Sequence, residues 1–520
     1  MMKVIEKISR GIKTSVGAAK AVCDKHNRSM PDWLLDDIRG REEIRIAILG
    51  AKKSGKTVLW TAVENYIRYL ESSTSDQDKA TLGGWKVFEV EQQEPFGWPD
   101  FDYGTIRAKL AETDEGRRDW PKESDVVWCR ALDVSLKKEK KGSKPKWRKV
   151  RLRVLDIPGE RFSDIGTMYG RSFEKWSCDL DSYWRKTPNS LSIVHSGYVK
   201  SLNALFADLD RIKGKKEDLI QQVEKVEREC FAKYREYLKE AIGSYSQFIT
   251  PSTYILADES LPEERRVLRE GLYGDSGFVP IPKEAFAAKG KGVRLLIKRF
   301  AAAYLKYKKD MKINEVAEWF ETANQAYYLV DVLAILQNGR TAKESVLRQI
   351  NNVGNLFSNC NDRLYKKAWK FLFKTQINKV CAVVAQADRT NLERDEENLK
   401  KLAKDLFCNL FAKIAGVATD CFVCSAVRAA TPSKETGMIE CNYKVNRNEP
   451  KGPGNLYSEP YSAPQVPAKW GDVWDANGKW NRDGGWYYPE PLSFPKDYES
   501  VPLFFNLDLV VKSMLLPKHA

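Results

Sequence analysis

The stretch Ile44–Thr57, IRIAILGAKKSGKT, decides the fold of this 520-residue chain. Its first residues form a short, largely apolar run that is typical of a strand buried on both faces. The pattern GxxxxGKT, which starts at Gly50, has the spacing of a phosphate-binding loop, whose glycines let backbone N–H groups point at a phosphate. The helical segment Val58–Tyr69 then presents an N-terminus that attracts anions. The stretch therefore predicts a nucleotide site in which Lys56 reaches the phosphates and Thr57 ligates Mg²⁺.

The hydrophobic content, net charge and cysteines of the chain indicate a folded, basic protein with reduced thiols. With 42% hydrophobic residues the chain can bury a large core, and its length suggests about three domains. A net charge of +15 favours acidic partners, such as nucleotides, nucleic acid or an anionic membrane surface. No apolar run approaches the ~20 residues that a membrane-spanning helix needs. Ten unevenly spaced cysteines without a secretory signal indicate reduced thiols in a cytosolic setting.

A second buried-strand pattern, Val150–Leu155, leads into the sequence DIPGE at residues 156–160. An aspartate at the end of a strand beside the phosphate loop, here Asp156, can hold Mg²⁺ through water. Gly159 lets its own N–H group approach a γ-phosphate closely. Glu160 stands where regulatory GTPases often carry a glutamine that orients water. These residues predict a γ-phosphate sensor.

The chain between these two strands carries weaker signals. Residues 71–125 are rich in polar residues, Gly and Pro, so few helices or strands are expected there. The Ser124 hydroxyl, just before the strand Val126–Leu136, could ligate Mg²⁺ or the γ-phosphate, or it could simply end a loop. The basic run Lys137–Lys149 lies between two strands, which favours a solvated hairpin tip over a surface for lipid headgroups or nucleic acid.

Two later strands carry the residues expected to read the base. The strand Asn378–Ala385 is followed by Asp388, whose carboxylate can accept hydrogen bonds from the N1 and N2 donors of guanine. The last buried strand, Cys421–Val427, contains Ser425 and Ala426, where a backbone N–H group can donate to O6 of guanine. Adenine lacks this arrangement of donors and acceptors. The pattern therefore favours guanine recognition.

The predicted fold is an α/β P-loop NTPase with a mostly parallel sheet and a large helical insertion between the Asp156 strand and the strand that starts at Ala326. Helical periodicity, as in Lys216–Ile242, fills the insertion. The predicted divisions are a basic amphipathic helix at 1–30, docked on its own domain or bound to lipid, a GTPase domain at 31–161 and 325–440, the insertion at 162–324, and a Trp-, Pro- and Gly-rich excursion with a closing segment at 441–520.

In this order, the motifs of the chain resemble those of the YcjX family of bacterial P-loop GTPases, which is linked with the phage-shock stress response. The resemblance spans almost the whole chain and rests on SGKT (54–57), WPxxS (120–124), DxPGE (156–160), WS (176–177), LVDVL (329–333), AD (387–388) and SAVRA (425–429). The chain departs from the family at Gln386, where a lysine usually packs over the guanine. It also departs at Ser124, which replaces a common threonine.

The resemblance implies a cytoplasmic protein that binds GTP or GDP with Mg²⁺, hydrolyses GTP slowly and acts as a regulatory switch in a bacterial stress response. It implies nucleotide contacts at Lys53, Ser54, Gly55, Lys56, Thr57, Val58, Gly159, Asp388, Ser425, Ala426 and Val427. It implies Mg²⁺ ligands at Thr57, Asp156 and Ser124. The catalytic residues it implies are Lys56 and Glu160.

Partners and rival functions complete the expectations. Element order predicts that residues 162–324 present a surface to an unidentified protein partner. Peripheral contact with the inner membrane is compatible with the resemblance, and nucleic acid is disfavoured. One rival is an ATPase, which Gln386 favours. The other is a membrane or nucleic-acid adaptor that binds nucleotide only for stability.

Overall fold

The structure is a computed structural model of the chain. It describes residues 42–51, 54–73, 82–94, 97–111, 127–140, 143–158, 161–186, 190–211, 216–243, 251, 277–359, 377–414, 417–433, 438–441, 443–444, 460–482, 485–489, 498 and 503–516. The predicted helix at residues 1–30 lies outside these ranges. Among the residues that are described, no helix combines the length and the apolar character needed to cross a bilayer.

Seven strands form the central sheet in the described ranges. They are β1 (Glu42–Gly50), β2 (Lys86–Gln93), β3 (Trp128–Lys140), β4 (Ser143–Asp156), β5 (Gln325–Val330), β6 (Lys379–Val384) and β7 (Ala418–Val423). Their order across the sheet is β2-β3-β4-β1-β5-β6-β7. The pairs from β4 through β7 are parallel, and β3 is antiparallel to both of its neighbours. The predicted mostly parallel α/β sheet, compatible with a P-loop NTPase fold, is confirmed.

Helices cover both faces of this sheet. They are α1 (Lys56–Ser72), α2 (Tyr103–Ala111), α3 (Arg161–Met168), α4 (Phe173–Lys186), α5 (Ser190–Arg211), α6 (Lys216–Gly243), α7 (Lys291–Asp310), α8 (Ile313–Thr322), α9 (Val332–Asn359), α10 (Leu392–Lys413) and α11 (Leu507–Leu515). Because successive strand residues point to opposite faces, Ile46 and Ile48 of β1 pack with α1 and α11, whereas Ala47 and Leu49 belong to the core on the other face.

The helices between β4 and β5 share one apolar core with the sheet. This core joins Leu155 of β4 and Val330 of β5 to the buried side chains of Trp176, Tyr234 and Phe300. The predicted long helices in this segment are observed, and α6 matches the predicted Lys216–Ile242 to within one residue. The helical segment therefore packs directly on the face of the sheet.

The structure corrects three expectations about local structure. The last strand, β7, spans Ala418–Val423 and not Cys421–Val427, so Ser425 and Ala426 lie in the turn after it. Residues 71–125 contain β2 and α2, although their polar composition predicted few helices or strands. In β2, an irregularity between Val87 and Glu89 interrupts the alternation of apolar and polar residues. The apolar run Ala326–Ile335 is not one strand, since β5 ends at Val330 and α9 begins at Val332. Apolar runs of this length do not by themselves separate a buried strand from the first turn of a buried helix.

The segment that closes the chain belongs to the core. Helix α11 packs on α1, and its residues Leu507, Val510 and Leu515 are buried. The Gln325 side chain at the start of β5 donates a 3.2 Å hydrogen bond to the carbonyl of Met514. The end of the chain is therefore tied to the centre of the sheet.

Candidate nucleotide-binding site

The loop after β1 has the backbone that its glycines predict. Gly50 has φ +143°, and a Cβ there would lie 2.6 Å from both the Leu329 carbonyl oxygen and Ser54 Oγ. Gly55 has φ +91° and is the N-cap of α1, which no side chain caps. Only glycine fits both backbones readily. The first-turn N–H groups of α1 consequently form an N-terminus suited to an anion.

The side chains of this loop converge on the end of β4. Lys56 Nζ donates hydrogen bonds of 3.0 Å to the carbonyls of Gly50 and Ala51, so it folds back over the loop. The Thr57 hydroxyl donates a 2.7 Å hydrogen bond to Oδ2 of Asp156. The parallel register, which pairs Ile48 with Asp156, brings these residues together although they are about a hundred positions apart in sequence. Three of the predicted phosphate and Mg²⁺ residues therefore meet at one point.

Burial and neighbouring groups shift the pKa of the Asp156 carboxyl in opposite directions. Asp156 is buried, and desolvation raises the pKa of its carboxyl above the ordinary value. The positive charge of Lys56 and the hydrogen bond from Thr57 act in the opposite direction and lower that pKa. A cation bound here would favour the ionised carboxylate further. The carboxylate is thus held where added positive charge would stabilise it.

The donors present fit Mg²⁺. The Thr57 hydroxyl and the Asp156 carboxylate are hard oxygen ligands at 2.7 Å from each other, and Mg²⁺ usually completes such a set with phosphate oxygens and water. Ser54 Oγ is buried and has no hydrogen-bond partner among the described atoms, which leaves it available to a ligand oxygen. No cluster of three or more His, Cys, Asp or Glu side chains forms a metal site within the described ranges.

Four of the predicted site residues cannot be placed. Lys53 of the loop, Ser124, Gly159 and Glu160 lie outside the described residues. Their immediate neighbours are described: Pro158 follows β4 closely, and its carbonyl accepts a 3.0 Å hydrogen bond from the Arg161 N–H group at the start of α3. The roles of these four residues stay predictions.

The predicted base-reading residues form a second cluster. Asp388 lies in the turn after β6 and is buried. Its Oδ2 accepts hydrogen bonds from the N–H groups of Ala429 at 2.6 Å and Ala430 at 3.1 Å, in the turn that also contains Ser425, Ala426 and Val427. Burial raises the pKa of Asp388, whereas the hydrogen bonds from the N–H groups of Ala429 and Ala430 lower it. The structure thus joins the two base-reading segments through the carboxylate itself.

The turn after β7 is also fixed from its other side. The Ser425 hydroxyl donates a 3.0 Å hydrogen bond to the carbonyl of Val427. The backbone of Ser425 exchanges two hydrogen bonds, of 3.0 and 2.9 Å, with Phe505, just before α11. Gln386, which stands in the position of the family's lysine, adopts a left-handed backbone with φ 56°. The turn is held between Asp388 and the closing segment.

Arg389 is the residue that the sequence argument missed. Its side chain is 1% exposed, and its Nη1 pairs with Asp331 at 2.9 Å. It also donates to the carbonyl of Trp486 at 2.9 Å and to that of Tyr487 at 2.8 Å. The Tyr461 hydroxyl donates a 2.9 Å hydrogen bond to the Arg389 carbonyl. The Trp-rich segment, residues 460–489, thereby clamps the turn that carries Asp388.

A sequence signal for this clamp existed. Asp331 directly follows β5 and Arg389 follows β6, and these strands are parallel neighbours whose carboxyl ends meet at one edge. An acidic and a basic residue just beyond adjacent parallel strands predict an ion pair. No pattern in the sequence marks Trp486 and Tyr487 as its backbone acceptors.

Both clusters lie at the same edge of the sheet. The chain turns from β1 to one side, through β4, and later to the other side, through β5, β6 and β7, so the carboxyl end of β1 is a topological switch point. Two strand spacings, roughly 10 Å, separate β1 from β6. One nucleotide can therefore span the phosphate loop and the Asp388 turn.

Comparison with known protein families agrees with this geometry. The profile of the YcjX-like family, DUF463, matches residues 44–475 of the chain. The chain belongs to the YcjX-like family. The matched range includes the phosphate loop, the Asp388 turn and the first half of the Trp-rich segment, and the predicted family is thereby confirmed. A search of curated proteins gives no match.

Proposed function

We propose that this YcjX-like protein is a Mg²⁺-dependent GTPase that acts as a regulatory switch. The observation that carries the proposal is the 2.7 Å hydrogen bond between the Thr57 hydroxyl and Asp156, beside the Gly50–Gly55 loop and Lys56. A hydroxyl from the phosphate loop and an aspartate from the neighbouring strand are the pair that holds Mg²⁺ in P-loop NTPases. A role in a bacterial stress response rests on the family resemblance alone.

The residues have defined tasks in this proposal. Lys56 exchanges the Gly50 and Ala51 carbonyls for the β- and γ-phosphate oxygens of GTP, and its charge offsets the charge that develops there during transfer. Mg²⁺, when bound, neutralises the same oxygens. Glu160 positions the attacking water. A carboxylate beside phosphate is electrostatically unfavourable, so we expect slow intrinsic hydrolysis.

Guanine selectivity rests on the Asp388 turn. Oδ2 of Asp388 is already occupied by two N–H groups at 2.6 and 3.1 Å, so we assign Oδ1 to the N1 and N2 donors of guanine. The same hydrogen bonds fix the turn from which a backbone N–H group would donate to O6. An unfixed turn would have to be ordered on binding, which weakens affinity.

The switch is expected to act through α3, which begins directly after the γ-phosphate sensor. The Tyr307 hydroxyl of α7 donates a 2.5 Å hydrogen bond to the buried Asp164 of α3. The Tyr304 hydroxyl contacts the carbonyls of Met168 and Arg171, at 3.3 and 3.2 Å. A change at Gly159 therefore has a short path into the segment 162–324, which we propose as the partner surface. The nucleotide biases this segment only through contacts that differ between the GTP and GDP states.

Calorimetric titration with GTP in Mg²⁺ and in EDTA tests the central assignment, with Thr57→Ala and Thr61→Ala compared. Thr57 contacts Asp156, whereas the Thr61 hydroxyl donates back to the carbonyl of Thr57 within the same helix and is fully buried. We expect Thr57→Ala to remove the Mg²⁺ dependence of GTP affinity and Thr61→Ala to retain it. Equal Mg²⁺ dependence in both variants would refute the metal assignment.

An ATPase is the second candidate, because Gln386 stands where a lysine over guanine would be expected. Competition of ATP against bound GTP separates the two. ATP that displaces GTP at equal concentration would favour the ATPase.

A further inference from the structure

A basic, aromatic surface lies at the opposite end of β4 from the candidate nucleotide site. We call it the hairpin tip and define it by Phe88, Trp147, Lys144, Lys146 and Lys149. We propose that the hairpin tip docks peripherally on an anionic lipid surface.

The hairpin tip extends past the described part of β1. Among the described residues, β4 pairs with β1 from residue 150 onward, so the first seven residues of β4 lie beyond the described part of β1. Strands β3 and β4 have 13 and 14 residues, whereas β5, β6 and β7 have 6 each. At about 3.3 Å per residue, the overhang measures roughly 20 Å.

The aromatic side chains of the tip are unusually open. Phe88 is 55% exposed and Trp147 is 51% exposed. Their rings touch edge to face, with centroids 5.0 Å apart and planes at 87°. Most soluble proteins bury rings of this size, and Trp is favoured at the boundary between lipid headgroups and acyl chains. The pair forms an apolar contact that fits such a boundary.

The charge of the tip complements anionic lipid. Residues 137–149 contain eight Lys or Arg and one acidic residue, Glu139. Glu139 pairs with Lys137 at 3.1 Å, and Arg148 donates to Glu42 at 2.7 Å. Lys144, Lys146 and Lys149 are exposed along the same strand. Lys149 shares the face of Trp147, whereas Lys144 and Lys146 lie on the opposite face of β4, so the positive charge surrounds the end of the hairpin on both faces. Each lysine close to an anionic membrane strengthens binding about fivefold, and salt screens the effect.

The ring geometry favours lipid over single-stranded nucleic acid. Nucleobases stack on open aromatic faces. Here the Phe88 ring is nearly perpendicular to the Trp147 ring and contacts it edge to face. Lys137 Nζ lies 5.9 Å from the centroid of the Trp147 ring. Insertion at the headgroup level needs exposed ring area but no open parallel face. The tip therefore suits a membrane boundary better than a strand of bases.

The orientation would keep the nucleotide site accessible. β4 runs from the tip at Ser143 to Asp156 at the site, and its 14 residues at about 3.3 Å each place the two ends roughly 40 Å apart. A protein docked by the tip would present the phosphate loop and the Asp388 turn away from the membrane. Nucleotide exchange could then proceed on the docked protein.

Vesicle flotation of the full chain tests the proposal. The probes are vesicles of phosphatidylcholine alone and vesicles with one third phosphatidylglycerol, at 0.1 and 0.5 M salt. We expect binding only to the anionic vesicles and a large loss at the higher salt. Lys144→Gln combined with Lys146→Gln and Lys149→Gln should weaken partition about 100-fold, at about fivefold per lysine. Phe88→Ser with Trp147→Ser should weaken it about tenfold.

Helix α7 offers matched controls. Lys298, Lys306 and Lys309 are exposed there, and Leu305 is 62% exposed. The triple Lys→Gln variant of α7 and Leu305→Ser should bind anionic vesicles as the unaltered chain does. The thermal unfolding midpoint of each variant shows whether the variant is folded. If the variant with Phe88→Ser and Trp147→Ser is unfolded, the triple Lys→Gln variant of the tip tests the proposal.

Three outcomes would overturn the proposal. The unaltered chain could fail to bind anionic vesicles. The tip variants could bind as well as the unaltered chain, which would place membrane contact elsewhere, as in residues 1–30. Finally, the tip variants could lose binding to a single-stranded oligonucleotide while vesicle binding is absent throughout, which would make the tip a nucleic-acid surface.

Discussion

The two ends of the candidate nucleotide site are built in different ways. At the phosphate end, the loop and Lys56 come from one short stretch of chain, and Asp156 is supplied by the adjacent parallel strand. At the base end, Asp388 depends on Arg389, which is held by carbonyls almost a hundred residues further along the chain. The comparison indicates that the proposed phosphate end is built locally by the fold, whereas the proposed base end depends on the docking of the Trp-rich segment.

Arg389→Ala should give the largest effect. It leaves the Asp331 carboxylate, which is 10% exposed, without its buried partner, and breaking such a pair costs about 3–5 kcal/mol of stability. Chemical denaturation measures the change. In protein that remains folded, we expect weaker GTP binding and unchanged binding of Mg²⁺–tripolyphosphate.

Tyr461→Phe is a smaller change at the same turn, because it removes only one hydrogen bond to the Arg389 carbonyl. It should lower the free energy of unfolding by about 1 kcal/mol. If Arg389→Ala weakens GTP and tripolyphosphate binding equally, the base end is not a separate unit.

Lys56→Ala should abolish measurable nucleotide binding, because it removes the charged side chain placed at the phosphate end. Hydrogen bonds to charged groups contribute up to about 3 kcal/mol, which is more than 100-fold in affinity. Titration with GTP and with tripolyphosphate should show equal losses, since both ligands share the phosphate end. The exposed Lys298 provides the control variant, Lys298→Ala. Affinity in Lys56→Ala that matches the unaltered chain would remove the phosphate-loop assignment.

Asp388→Asn should shift base preference from guanine to xanthine. The amide oxygen can keep the hydrogen bonds from Ala429 and Ala430, while the NH₂ group faces a xanthine oxygen instead of the guanine donors. We expect GTP affinity to fall about 30-fold, or about 2 kcal/mol, and xanthosine triphosphate affinity to rise.

The matched control for this exchange is Asp388→Ala, which removes the acceptor altogether. It should weaken both nucleotides and destabilise the turn, because two buried N–H groups lose their partner. Unchanged affinities for GTP and ATP in Asp388→Asn would show that Asp388 does not read the base.

Tyr307→Phe should lower stability by about 2 kcal/mol, because it removes one hydrogen bond to the buried carboxylate of Asp164. The effect of this variant on the switch is measured by hydrogen exchange in the presence of GDP or of a GTP analogue. We expect the unaltered chain to change protection across 162–324 between the two states, and Tyr307→Phe to reduce that change. Tyr328→Phe, which removes a 3.4 Å hydrogen bond to Gln349, is the control. Changes confined to 50–60 and 156–160 would make the helical segment a passive attachment.

The same contrast explains what could be predicted from the sequence. The glycine spacing of the phosphate loop and the aspartate that ends β4 are local patterns with a direct physical cause, and their side chains meet as expected. The order of strands predicts that Asp388 and Ser425 follow neighbouring strands, and in the structure hydrogen bonds to Asp388 join the two turns that carry them. The role of Arg389 could not be predicted, because its acceptors in the Trp-rich segment are backbone carbonyls. Every residue type has a backbone carbonyl, so the sequence does not show which one is an acceptor. β2 was missed because an irregularity at Phe88 breaks its alternation.

Parallel titrations of the unaltered chain with GTP, ATP and tripolyphosphate in Mg²⁺ test the central claim most directly. If the phosphate loop and the Asp388 turn bind one guanine nucleotide, all three ligands bind through the shared phosphate end, and GTP binds more tightly than ATP by the contribution of the base. The account predicts that order, with ATP close to tripolyphosphate. Equal affinity for GTP and ATP, or no binding of any of the three, would contradict it.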